Sequence, residues 1–245
     1  MRNVESYLLS EIERGKSVHL SLIDPEEMRP VDAQKTCVDL ESKGTSAIMV
    51  GGSTVASTSQ LDEIVRAIKE AVEIPVILFP NNVTGISKHA DAIWFMSLLN
   101  SNSPYFITGI QALAAPIVKR YRLEAIPLGY LIVGEGSTAA YIGQAHPIPL
   151  DKPEVALIYA LAAQYLGMRF VYLEAGSRSK NPVPSDMVSL VKKGVDIPVI
   201  VGGGIRTKAV AEELVKAGAD FIVTGTLIEQ HSHTLLDEII ETIHR

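Results

Sequence analysis

Short apolar runs recur along the chain, each ending in a glycine-, serine-, asparagine- or aspartate-rich turn and most followed by a helical period. They predict eight strands, at 18–24, 47–52, 75–80, 92–97, 125–133, 170–175, 198–203 and 221–226. Near-continuous apolar strands imply burial on both faces, as in parallel strands covered by helices. The phrases "EIPVI", "DIPVI" and "KAGADFIV" repeat one junction, in which a helix stops at Gly or Pro and the next strand starts at once. No Pro/Ser-rich linker or shift in composition divides the series. Residues 1–245 are therefore expected to form a single α/β domain, a (β/α)8 TIM barrel.

The pattern is broken in three places. "NNVTGISKHAD", between the third and fourth strands, is too short and too polar for a crossover helix, so helix 3 is expected to be missing or replaced. A longer insertion follows the fifth strand; its first half predicts a loop above the barrel mouth and its second half the crossover helix. From Ala92 to Val118 there is no charged residue, although "NSNSP" interrupts the run and rules out a membrane span of about 20 apolar residues. Barrel helices normally expose a charged outer face, so the helix in "YFITGIQALAAPIV" is expected to be covered by an apolar ligand or a partner subunit. A homo-oligomer is the expected assembly.

Composition narrows the function. With a formal charge of −6 and no Lys/Arg cluster interleaved with aromatics, nucleic acid is not an expected partner, and any anion must be bound locally. The one cysteine, Cys37, excludes an internal disulfide and a cysteine zinc site, which fits a reducing, cytoplasmic setting. The first residues, "MRNVESYLLSEIERGK", are too charged for a signal peptide and predict an amphipathic helix.

In a barrel the active site lies at the C-terminal strand ends, which here offer Asp24, Ser53, Asn81, Asn82 and Glu174. Two glycine turns, "VGGGIRT" and "VTGTLIEQ", end the last two strands, where backbone N–H groups and a helix N-terminus can hold phosphate. Glu174 and Tyr172 share the inward face of the sixth strand. A carboxylate planted there is costly to bury and its pKa rises, which suits a general base or hydroxyl acceptor; hydrogen bonding to backbone amides is the structural alternative. The following "AGS" sheds bulk so that backbone and Ser177 can approach a ligand. Asp24 with Ser53 and no histidine partner suits Mg2+, which takes few protein ligands; an Asp cap on a helix starting at Pro25 is the competing reading. At about 0.8 kcal/mol per buried methylene, the uncharged sector could hold a long isoprenoid tail.

In these residues the chain resembles the geranylgeranylglyceryl phosphate synthase family of archaea and some bacteria. "SLIDPE", "MVGGST", "LFPNN", "YLEAGS", "VGGGIR" and "TGT" occur in the family's order and span nearly the whole chain. The resemblance implies a Mg2+-dependent prenyltransferase that joins geranylgeranyl diphosphate to sn-glycerol-1-phosphate, forms an ether and releases pyrophosphate, on a modified barrel without a regular third helix. It implies archaeal-type ether lipid synthesis, at most transient contact with a membrane surface, and Mg2+ at Asp24 and Ser53. Glycerol phosphate would be held by Tyr172, Leu173, Glu174, Ala175, Gly176, Ser177 and Arg178, with Gly203, Gly204, Gly225 and Thr226 on the phosphate. Two positions depart from the family pattern: Arg178 stands where glycine is usual, and Thr226 where asparagine is usual. Two other readings remain open from the residues alone, a sugar-phosphate isomerase barrel sharing the glycine turns, and a non-catalytic phosphate-binding or assembly protein.

Overall fold

The computed structural model describes residues 3–14, 17–54, 57–177, 179–225 and 233–243. Eight parallel strands close into a barrel in sequence order: β1 (Val18–Ile23), β2 (Ala47–Val50), β3 (Val76–Leu78), β4 (Ala92–Leu98), β5 (Glu124–Ile132), β6 (Phe170–Glu174), β7 (Val199–Gly202) and β8 (Phe221–Thr224). β8 returns to β1 through the register Val18↔Phe221 to Ser21↔Thr224. The expected (β/α)8 TIM barrel is the observed fold.

Alternation along each strand builds two apolar layers. One cluster draws Leu20, Met49, Ile77, Trp94, Leu128 and Phe170 from six successive strands, with Ile200 and Phe221 from the last two, and fills the interior. Their neighbours Ile48, Ile93, Leu173, Val201 and Ile222 face the helices instead. The helices are α1 (Val4–Glu13), α2 (Pro30–Ser42), α3 (Thr58–Lys69), α4 (Ile110–Tyr121), α5 (Thr138–Ile142), α6 (Pro153–Tyr165), α7 (Ser185–Gly194), α8 (Lys208–Ala217) and α9 (His233–Ile243).

The connection from β3 to β4 contains a single 3-10 turn, Val83–Gly85, started by the Asn82 side chain accepting from Val83 N at 2.7 Å. The crossover helix expected to be missing between the third and fourth strands is thus absent. A π-helical turn at Tyr105–Gly109 leads into α4 beside the gap this leaves. The Tyr105 hydroxyl donates to Asn82 Oδ1 at 3.3 Å across that gap. At the opposite end α1 plugs the barrel: Val4 and Leu8 join the interior cluster. The Glu124 carboxylate accepts from Val4 N at 2.6 Å and Glu5 N at 2.9 Å, satisfying helix-start donors with negative charge. Among the described residues no helix is long and apolar enough to cross a membrane.

Candidate active site

One cavity occupies the C-terminal mouth and is lined by Asp24, Ser53, Glu174, Gly176, Gly203 and Gly225, so the strand-end residues singled out from sequence converge. Tyr172 and Ser177 line it as well. Leu173 and Ala175 turn their side chains outward into the helix-facing core, so only their backbone groups can meet a ligand. Arg178 and Thr226 lie outside the described residues.

Glu174 is the last residue of β6, 6% exposed, and its backbone is pinned on both sides by the ladder, opposite Ile132 and Gly202. Its Oε1 accepts from Gly176 N at 2.5 Å. Burial pushes its pKa above the ordinary carboxylate value, opposed by the Tyr172 hydroxyl and the Gly176 amide, which favour the charged form. The Tyr172 hydroxyl is fully buried and has no partner in good hydrogen-bond geometry, although it sits close enough to influence the carboxylate. Both readings of Glu174 made from sequence meet here: it bonds a backbone amide and it faces the cavity.

Glycine is required around this carboxylate. Gly176 has φ +100°, and a side chain there would collide with Ser137, the residue that caps α5. Gly203 and Gly204 have φ +83° and +72°, a conformation that L side chains rarely adopt. A Cβ on Gly203 would sit 2.6 Å from Glu174 Oε1 and 2.6 Å from Gly176 N. The two glycines leave the backbone of this loop open to close approach, as a phosphate cradle requires.

Across the mouth Asp24 follows β1. Its Oδ1 accepts from Glu26 N at 3.0 Å, and residues 25–27 form a turn; α2 starts later, with Pro30 at its first position. The helix cap imagined at Pro25 is therefore absent. The carboxylate rests against Gly52, where any side chain would displace it. Asn81 Nδ2 donates to Ser53 O at 3.1 Å and Gln60 Nε2 to Pro25 O at 2.9 Å, tying the two loops that carry Asp24 and Ser53 to their neighbours.

Between these two sides the cavity runs into an apolar trench lined by Met96, Phe106, Ile110, Ala114, Ala139 and Ile142. Helix α4, charged only at Lys119 and Arg120 in its last turn, thus has two faces, one on the trench and one outside, where Leu113 is 59% exposed. Sequence reasoning had not singled out Phe79, Tyr130 or Arg206, all of which line the cavity. The signal for Arg206 is its place directly after the glycine turn, in "GGGIR". The buried His19 is structural, bonding Thr45 Oγ1 and Thr224 Oγ1 at 2.9 Å each.

Residues 10–243 match the PcrB family. The chain belongs to the PcrB family. Among the relatives of this PcrB-family chain, geranylgeranylglyceryl phosphate synthase of Pyrococcus abyssi is 58% identical over 226 residues, covering 92% of this chain and 90% of the relative. The synthase of Thermofilum pendens is 52% identical over 242 residues, covering 99% and 92%. A crystal structure of (S)-3-O-geranylgeranylglyceryl phosphate synthase from Thermoplasma acidophilum, in complex with its substrate sn-glycerol-1-phosphate, superimposes with a TM-score of 0.95 at 45% identity and covers 99% of both chains.

Proposed function

We propose that this PcrB-family protein joins sn-glycerol-1-phosphate to geranylgeranyl diphosphate, giving the ether 3-O-geranylgeranylglyceryl phosphate and pyrophosphate. The observation that carries the reading is the meeting, in one cavity, of the Glu174 carboxylate, the Gly203–Gly204 turn and Asp24 with Ser53 beside an uncharged trench. A sugar-phosphate isomerase has no use for that trench. The relatives' shared activity supports the same conclusion.

In this reading the phosphate of glycerol phosphate sits on the amides around Gly203, Gly204 and Gly225, with Ser177 at its edge. The acceptor hydroxyl then lies against Glu174, which takes its proton as the C–O bond forms. The raised pKa of Glu174 makes it a stronger base than an exposed carboxylate, and Tyr172 steadies its charge. The trench holds the prenyl chain and keeps water from the reacting carbon.

Asp24 and Ser53 fit a hard divalent cation: an all-oxygen pair, seated where Gly52 leaves room for the carboxylate. Among the described residues no trio of His, Cys, Asp and Glu could cage an ion, so the remaining ligands would be water and diphosphate oxygens, the habit of Mg2+. Bound there, Mg2+ supplies charge neutralisation to the diphosphate leaving group.

A homo-oligomer belongs to the same reading, since Leu113 on α4 and Ile158 and Tyr165 on α6 are 59%, 64% and 79% exposed. The test of the function is transfer of radiolabelled glycerol-1-phosphate to prenyl diphosphates of several lengths. Labelled ether phosphate that accumulates with a polyprenyl donor supports it, and turnover of an aldose or ketose phosphate instead overturns it.

A further inference from the structure

Three aromatic rings form the floor of the mouth. Phe79 follows β3, Tyr130 lies on β5 and Tyr172 on β6, and all three line the cavity shared by Asp24 and Glu174. Phe79 stacks on Tyr172 with centroids 5.6 Å apart and planes at 27°. Tyr130 stands edge-on to both, at 5.5 Å and 87° from Phe79 and 5.3 Å and 82° from Tyr172. The cluster bridges the two halves of the site. The backbone of Phe79 presses on Gly51, next to the Gly52 that seats Asp24, while Tyr172 precedes Glu174 by two residues on one strand face.

Elsewhere in the barrel interior a second aromatic group, Trp94, Phe170 and Phe221, packs among Leu20, Leu128 and Ile200. The upper three rings differ in that all of them line the cavity, which neither Phe170 nor Phe221 reaches. The chemistry proposed above uses the Tyr172 hydroxyl and leaves Phe79 and Tyr130 without a task. In the prenyl-transfer reading the leaving group lies on the Asp24 side and the incoming oxygen on the Glu174 side, which carries the reacting carbon over the rings between them.

We propose that Phe79, Tyr130 and Tyr172 stabilise, through their π faces, the allylic cation that develops as the prenyl donor ionises; the inference rests on the prenyl-transfer reading. The bond from C1 to the diphosphate oxygen breaks, and its electron pair leaves with the diphosphate. The positive charge spreads over the allylic carbons, which the negative faces of the rings attract. The glycerol hydroxyl oxygen then gives a pair to C1, and its proton passes to the Glu174 carboxylate. Rings suit this task because they offer electron density without a nucleophile that would trap the cation. Burial, with Glu174 beside them, raises both tyrosine hydroxyls well above the ordinary phenol range, so they stay protonated.

The test replaces Phe79 with phenylalanines carrying one, two or three ring fluorines, which keep the ring's shape and progressively remove its negative face. The readout is the single-turnover rate of ether formation, with substrate affinities measured separately. The logarithm of the rate should fall steadily with fluorine number, reaching about tenfold at three fluorines, while both affinities stay within about twofold. Phe79→Leu should lose at least as much rate, and Phe79→Trp should recover most of it. A flat series in an enzyme whose unmodified form makes ether overturns the cation role alone. No ether from the unmodified protein with any prenyl diphosphate overturns the underlying reading and this inference together.

Discussion

The Glu174 carboxylate lies 2.6 Å from the point where a side chain on Gly203 would begin. In the proposed chemistry the proton acceptor and the phosphate-binding turn are therefore built against each other, and neither can shift alone. Gly203→Ala would meet both this contact and a φ of +83°, a conformation that costs an L residue about 1–2 kcal/mol. Misplacing both groups should lower kcat/KM by about 100-fold and raise the KM for glycerol-1-phosphate, as steady-state kinetics with a folded variant would show.

The pH dependence follows from the same carboxylate. Glu174 must be ionised to accept a proton, and burial holds its pKa above the ordinary 4.5. Activity should fall as the pH drops through that raised value, giving an acidic limb in kcat/KM above the range of an exposed glutamate. A limb centred at or below 4.5 would contradict the burial.

Stability should run the other way. A carboxylate whose folded pKa is raised contributes stability that is fully present below the unfolded value of 4.5 and lost as pH rises through the folded value. At neutral pH the fold therefore carries an unfavourable buried charge. Glu174→Gln should raise Tm at pH 7, and the gain should shrink as the pH approaches 4.5, measured by thermal scans across pH.

The Asp24 side makes its own prediction. A methyl group on Gly52 would push the Asp24 carboxylate aside while leaving its charge in place. Gly52→Ala should raise the Mg2+ concentration needed for half-maximal activity by about tenfold, and Asp24→Asn should raise it further. Unchanged Mg2+ titrations in both variants would remove Asp24 as a ligand.

Much of this was legible in the chain. The apolar runs placed all eight strands in order, and the barrel rule then put Asp24, Ser53 and Glu174 at one mouth. The expected strands ran past the real ends at Gly52, Pro80 and Gly203, because those residues leave the ladder to turn toward the cavity. Contacts made only on closure stayed hidden. The Phe79, Tyr130 and Tyr172 rings come from three strands, and the Glu124 carboxylate caps a helix that begins 120 residues earlier. Periodicity reports which face of an element is buried, not which distant side chain will meet it there.

The outer face of α4 offers a further test. Leu113 sits 59% exposed on α4, whose charges, Lys119 and Arg120, are confined to its last turn, so Leu113→Glu should shift the protein toward monomer in light scattering if a second copy covers it. An unchanged molar mass would place the contact elsewhere.

The most direct measurement pairs binding with turnover in Glu174→Gln. Titration calorimetry should find sn-glycerol-1-phosphate bound within a few-fold of the unmodified protein, because the Gly203–Gly204 turn proposed to hold the phosphate is intact. Ether formation should fall by about 10²–10⁴-fold. Near-normal ether formation in that variant would contradict the account, since the carboxylate would then accept no proton.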